Sequence, residues 1–314
     1  MGKTHISAAF IKSTAQKFGF HNCGLSRAGF LEGEAGVLEK WLKDGKHGSM
    51  SYMERYFDMR LDPRRLQDGA KTIISLIYNY NCRGLQHPKS FYYLAKYARL
   101  ADYHHFLKAK MRAVVKQMQA HIGHFEYSCF VDSAPVLERA WAVKSGLGNI
   151  GKNKCLIIPN AGSYFFICQI ITDFTTSYDR SLNKSICKGC NKCIEACPTG
   201  AINEVGSINA HKCISYLTIE HKKDMEGTYK NKIYNQVFGC DLCQIACPYN
   251  QQAPINQEAD TFFIKELPFL TKEKWEIMSE PTFKSVFKNT TLFRSGYKKI
   301  KKNVSFVMPN SINK

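Results

Sequence analysis

Four cysteines, Cys187, Cys190, Cys193 and Cys197, are separated by two, two and three residues, and Pro198 follows them. Thiolates at this spacing hold [4Fe-4S] cubes: three on a tight loop cap one cube, and the fourth, before the proline, points to a second. A second run, Cys240, Cys243 and Cys247, is closed by Pro248 in the same way. The first cube is therefore expected on Cys187, Cys190, Cys193 and the distant Cys247. The second takes Cys197, Cys240 and Cys243. Val237 stands where a regular second run would start, so Cys213, the remaining cysteine between the runs, is assigned as the fourth ligand. A zinc ribbon needs two C-x-x-C pairs and leaves the other cysteines without a role. Disulfides need an oxidising compartment. The spacing thus predicts a two-cluster electron relay.

Other residues carry weaker signals. Asp132 follows the apolar run Phe125–Val131 and precedes Pro135 and the segment up to Lys144. Spacing makes Asp132 or Ser133 a helix N-cap, with Pro135 in the first turn. An acid at the end of a strand is also where α/β folds place reacting groups, and spacing alone leaves both readings open. Gly146, Gly148 and Gly151 outline G-x-G-x-x-G, but they follow a helical segment and precede a strand, the reverse of a dinucleotide site. They read as a tight loop whose backbone approaches something bulky. His104 and His105 are adjacent, so at most one faces inward. Cys23, Cys82, Cys129, Cys155 and Cys168 sit in apolar settings and read as small core residues.

These residues need a scaffold. Residues 1–20 carry Ile6, Phe10 and Ile11 at helical spacing, with no signal-peptide pattern. Thr72–Tyr80 is a β-branched run that reads as a buried strand. Phe106, Leu107, Met111, Val114, Val115, Met118 and Ile122 mark a helix over 103–122 with a basic outer face. Two apolar strands, from Cys155 and from Ser163, are expected to form a hairpin about Asn160. Strands and helices alternate, which predicts an α+β or α/β domain with a mixed sheet over residues 1–178. A ferredoxin-like dicluster domain follows over 179–250 and a short basic helical tail over 251–314.

Forty-four Lys and Arg against 26 Asp and Glu leave a net charge of +18 over 314 residues. Such an excess implies a polyanionic partner, nucleic acid first. The stretch Phe283–Lys302 sets seven basic residues among apolar ones and reads as a phosphate-binding strip. No stretch is apolar enough to span a bilayer, so a cytoplasmic protein with no membrane partner is expected.

Taken together, Y-M-E-R-Y-F-D-M-R-L-D-P-R-R-L from Tyr52, V-D-S-A-P-V-L-E-R-A-W from Val131, G-L-G-N-I-G-K-N from Gly146, the first cysteine run, C-I-S-Y-L-T-I-E from Cys213 and F-G-C-D-L-C-Q-I-A-C-P-Y-N from Phe238 resemble the epoxyqueuosine reductases. So does the T-T-L-F-R-S-G segment of the tail. The resemblance covers nearly the whole chain. Asn149 departs from it, standing where an aromatic is common, and the helical-repeat extension of longer members is not expected.

The resemblance implies the last step of queuosine synthesis in tRNA, with a corrinoid (cobalamin) in the N-terminal domain and its cobalt facing the second cluster. It implies that Asp132 is the catalytic acid, with a partly desolvated carboxyl. Arg60, Tyr97, Lys152, Asn153, Ser215 and Asp241 occupy positions matching contacts to the corrinoid, which Asp132 also adjoins. Lys222, Lys223, Lys284, Lys288, Arg294, Lys298 and Lys299 are candidates for tRNA phosphates. An external low-potential donor of the flavodoxin or ferredoxin type and a monomeric enzyme are expected. A reductive dehalogenase would share the cofactors but gives +18 no purpose, and an electron-transfer subunit leaves residues 1–178 without a role.

Overall fold

The computed structural model describes residues 6–84, 92–182 and 185–307. At its centre is a four-stranded sheet in the order β1 (Asn22–Arg27), β2 (Thr72–Asn79), β7 (Phe165–Thr172) and β4 (Tyr127–Phe130). Every residue of β2 is buried, because helices cover both faces. Period-two alternation divides the side chains. Ile74, Leu76 and Tyr78 face the core formed with α1 (Ala8–Lys17) and α4 (Tyr103–Ile122), where Ile11, Leu107, Met111 and Val114 are fully buried. Ile73 and Ile77 face the opposite side, toward Trp141 and Ala142 of α5 (Glu138–Lys144). The strand and helix expected at 72–80 and 103–122 are thus present.

The sheet departs from expectation in direction. All three pairings are antiparallel, so it is not mixed. Apolar runs alternating with helices read as parallel units, but burial of both faces produces the same runs in an antiparallel sheet. The hairpin about Asn160 is also corrected. β6 (Leu156–Ile157) pairs with β5 (Asn149–Ile150), while β7 joins the main sheet, and only an Ile158–Gly162 bridge closes the turn. The glycine loop shows why it needs glycine. A Cβ on Gly148 would lie 2.4 Å from the Ile157 carbonyl oxygen, and one on Gly146 2.6 Å from that of Arg180. The bulky neighbour is the chain itself.

Two helices, α2 (Glu32–Lys43) and α3 (Phe57–Leu61), lie between β1 and β2. A second core forms around α7 (Ile214–Ile219) and β8 (Gln236–Phe238), flanked by the cysteine-run helices α6 (Lys192–Glu195) and α8 (Leu242–Ile245). From the first half of the chain, β3 (Tyr93–Leu94) joins it by pairing parallel to β8. After α9 (Gln257–Asp260), whose Ala259 is buried in the first core, come α10 (Lys272–Ile277), α11 (Glu280–Phe287), α12 (Thr291–Ser295) and α13 (Tyr297–Val307). Their Trp275, Phe283, Phe287, Leu292, Ile300 and Val304 pack with Leu217 and Phe238. The basic tail is thus helical, as expected, and built into this core. No helix among the described residues is long and apolar enough to cross a membrane.

Candidate active site and iron-sulfur cradle

Asp132 is neither a helix cap nor desolvated. Helix α5 starts six residues later, at Glu138, with Leu137 as its N-cap. Asp132 sits in a bend after β4 in the left-handed region (φ 50°), and its side chain is 66% exposed. Its carboxylate accepts a hydrogen bond from the Tyr103 hydroxyl, which explains why it does not cap α5. Its backbone N–H donates to Glu138 Oε1 at 2.7 Å. The desolvated carboxyl at this site belongs to Glu138, a half-buried residue: desolvation, reinforced by the charge of Asp132, pushes it up to about 8.

The start of α4 organises the groups around Asp132. Asp102 is the N-cap, accepting from the His104 N–H at 3.0 Å. The same oxygen lies 2.6 Å from His104 Nδ1, which turns Nε2 toward Asp132 Oδ2 at 3.9 Å. The His104 ring stacks on Tyr103 with centroids 4.1 Å apart, and Tyr103 stacks on Phe166 of β7 at 4.1 Å. From α12, Arg294 Nη1 lies 2.9 and 3.0 Å from the two imidazole nitrogens. Sequence reasoning missed Asp102, Tyr103, His104 and Glu138 as site residues. One signal was available: Asp102 directly before an apolar-periodic segment is an N-cap signature, and it fixes the helical face on which His104 falls.

Arg60 and Tyr97 come to the same region. Tyr97 packs edge-on to Tyr103 at 6.3 Å and against Phe238 of β8 at 6.4 Å, so it spans from the Asp132 site to the second core. Burial raises the Tyr97 hydroxyl, and the charges of Asp132 and Asp241 add to the shift. Arg60 is buried; its Nη2 donates to the Tyr52 carbonyl at 2.6 Å, and its Nε has no partner among the described residues. An unsatisfied guanidinium nitrogen beside Tyr52, which feels Glu220 and Asp132, fits a polar ligand with acceptor groups.

The other four expected contacts lie on the cysteine-bearing segments or against them. Lys152 Nζ donates to Asn191 Oδ1 at 2.6 Å. Asn153 bridges the Cys155 N–H and, at 3.4 Å, the Cys243 carbonyl. The backbone N–H groups of Tyr216 and Ser215, in the first turn of α7, act against the burial of the Cys213 thiol. Asp241 is 1% exposed and accepts from the Lys96 N–H at 2.7 Å and the Tyr93 hydroxyl at 3.1 Å, so it clamps β3 to the second run from inside.

The cysteines of the two runs and Cys213 lie within reach of one another's charge. Burial raises the thiols of Cys193 and Cys247; Cys193 also senses Cys243, Cys187 and Cys247, and Cys247 senses Cys187, Cys190 and Cys243. Burial likewise raises Cys213 and Cys240, with Cys213 sensing Cys197 and Cys243, and Cys240 sensing Cys213 and Cys243. Backbone N–H groups already point at sulfurs, including Ala201 to Cys197 at 3.3 Å, as cluster thiolates require. Among the described residues no three metal-ligating side chains converge on a single-ion position; thiolates of a cube each bind a different iron. One neighbour was missed: Cys155 lies beside Cys243, which holds the Cys155 thiol below its ordinary value.

Of the expected phosphate contacts, Lys222, Lys223, Lys288 and Lys298 are exposed. Lys284 pairs with Glu280 at 2.8 Å. Lys299 departs from expectation: its Nζ donates to the Leu217 and His221 carbonyls at 2.8 Å, closing the C-terminus of α7. Arg294 is turned to His104, as described.

A family model described as "Epoxyqueuosine reductase QueG, DUF1730" matches residues 60–133, and one described as "4Fe-4S double cluster binding domain" matches residues 186–250. An epoxyqueuosine reductase of Cyclobacterium marinum is 44% identical over 95% of both chains. The chain belongs to the epoxyqueuosine reductase family. A second member, from Cellulophaga algicola, is 43% identical over 95% of this chain and 96% of its own. An epoxyqueuosine reductase crystallised with an epoxyqueuosine-modified tRNA-Tyr stem loop superposes with a TM-score of 0.87 at 26% identity, over 95% of this chain and 80% of that one. As a member of the family the chain is an oxidoreductase with a two-cluster [4Fe-4S] domain.

Proposed function

We propose that this chain reduces epoxyqueuosine to queuosine at the wobble position of tRNA, with Asp132 as the proton donor. The observation that carries this reading is the placement of Asp132. It lies on a bend at the end of β4, held by Tyr103 and beside His104, and Tyr97 links it to the core bearing the cysteine runs. Removing the epoxide oxygen as water takes two electrons and two protons. Cobalamin and two [4Fe-4S] clusters, when bound, supply the electrons and a low-valent cobalt at which carbon-oxygen cleavage is feasible. Cys187, Cys190, Cys193 and Cys247 would hold one cluster, and Cys197, Cys213, Cys240 and Cys243 the other. Arg60 and Tyr97 would line the corrinoid from the Asp132 side, and Lys152, Asn153, Ser215 and Asp241 would support it from the cluster loops.

The protein's own chemistry is proton delivery. Tyr103 orients the Asp132 carboxyl, Asp102 fixes the His104 ring, and Asp132 protonates the departing oxygen. Residues 1–178 would form the corrinoid-binding unit, 179–250 the electron relay and 251–314 part of the tRNA surface. Exposed Lys222, Lys223, Lys288 and Lys298, with Lys284 after it leaves Glu280, would meet phosphates, while Arg294 would act at the mouth of the site. The enzyme would work in the cytoplasm as a monomer, fed by a flavodoxin- or ferredoxin-type donor.

The test is anaerobic isolation with iron, sulfide and corrinoid analysis, followed by nucleoside mass spectrometry of tRNA. Two cubes, bound corrinoid and conversion of epoxyqueuosine are expected. Cys213→Ala should lose one cube and keep the other. Material without cubes or unable to take up a corrinoid would overturn the reading.

A further inference from the structure

We infer that Glu138 is a positioning residue that clasps the Asp132 bend, holding the Asp132 carboxyl against Tyr103 and beside His104. This inference rests on Asp132 being the proton donor. Asp132 occupies the left-handed region at φ 50°, uncommon for a residue with a side chain and kept only where surrounding contacts over-determine it. Those contacts come from two sides. The Tyr103 hydroxyl donates to the carboxylate, and Glu138 Oε1 accepts the backbone N–H at 2.7 Å. The first contact holds the side chain and the second holds the peptide that aims it.

Glu138 is itself anchored to the sheet. Its carbonyl accepts from Gln169 Nε2 at 3.1 Å, and Gln169 Oε1 accepts from the Ser75 hydroxyl at 2.8 Å. Gln169 and Ser75 are fully buried on β7 and β2. Three residues on, Trp141 is fully buried beneath α5. A chain of hydrogen bonds thus runs from the middle of the sheet through the first turn of α5 to the Asp132 amide. Within the bend between, Asp132 and Ser133 are exposed, while Ala134 packs against the core beneath α5. Burial pushes the Glu138 carboxyl up to about 8, so at neutral pH it is held mainly as the acid. Its Oε1 accepts the amide without setting a full negative charge beside Asp132.

The test uses holoenzyme loaded with clusters and corrinoid, and an epoxyqueuosine-modified tRNA stem loop as substrate. Glu138→Ala removes the acceptor, Glu138→Asp withdraws it by one methylene, and Glu138→Gln keeps a neutral oxygen in place. Glu138→Ala and Glu138→Asp should lower kcat by roughly tenfold to a hundredfold, as expected when a reacting group is misplaced by about 1 Å. KM should stay within about twofold, because the loss falls on the chemical step. Hydrogen exchange over residues 131–137 should rise in both, and Glu138→Gln should recover both kcat and protection. The inference is overturned if Glu138→Ala keeps wild-type kcat and exchange, if kcat falls with exchange unchanged, or if Glu138→Gln fails as badly as Glu138→Ala. Should Glu138→Ala not retain its cofactors, the comparison of Glu138→Asp with Glu138→Gln decides. Asp132→Asn run in parallel separates the two readings. Activity in that variant removes Asp132 from the mechanism, whereas an inactive Asp132→Asn beside a fully active Glu138→Ala removes only the clasp.

Discussion

Two carboxyl groups six residues apart have different environments: the Asp132 side chain is open to solvent, and Glu138 is half-buried with its carboxyl desolvated. Asp132→Asn should keep both clusters and the corrinoid, by metal analysis and visible spectrum, and lose about a hundredfold or more in turnover, the loss expected for a general acid. Glu138 makes a different prediction. Folding favours its protonated form over an ordinary value of 4.5, so its contribution to stability is intact at low pH and is lost as pH rises through 4.5 toward about 8. Asp132 from the bend, Tyr103 from α4, Cys168 from β7 and Arg139 from its own helix are the ionisable groups that share its field. Thermal melts of Glu138→Gln should lack this decline and lie above wild type at pH 9. These roles were unevenly legible in the sequence. The cysteines of the two runs were legible from spacing, because a cube fixes how far apart its thiolates lie along a loop, whereas Cys213 was assigned as the remaining cysteine between them. Asp132 stood out only by family likeness, since a capping aspartate and a reacting one look alike in one dimension. Glu138 was invisible because its burial depends on how α5 lies on the sheet.

At the level of elements, α4 and α7 each do more than fill a core. Helix α4 presents Tyr103 and His104 in its first turn behind Asp102, so that one N-cap both starts the helix and sets the imidazole. His104→Ala should leave the stacked Tyr103–Phe166 pair in place and reduce turnover while iron content stays constant, as measured on holoenzyme. Helix α7 is short and ends on carbonyls that Lys299 closes. Lys299→Met should destabilise the protein by about 1 kcal/mol in denaturant titration, and leave tRNA affinity unchanged, because the ammonium is engaged with backbone carbonyls. A basic residue in a basic stretch reads as a surface charge, and its engagement with α7 emerges only once α13 is docked. For the same reason strand direction in the main sheet was misread: apolar runs report burial, and burial does not report orientation.

For the whole molecule, the excess of +18 is shared between structural and exposed cations. Neutralising Lys222, Lys223, Lys288 and Lys298 together should weaken tRNA binding and lower the slope of log affinity against log salt by roughly three to four, close to one for each phosphate left without its lysine. Gel shifts at several salt concentrations measure this, and a slope equal to wild type removes the four from the interface. Deleting the tail is the wrong experiment, because Phe283, Phe287, Ile300 and Val304 are part of the second core. The crossing of early and late segments carries a further consequence. Strand β3 finds its partner only after residue 238, and each assigned set of thiolates draws on both cysteine runs. On that assignment neither cube would close during translation before Cys243 has left the ribosome, and the first would wait for Cys247. Iron loading becomes one of the last events in maturation, and nascent chains cut short upstream of the second run should emerge colourless.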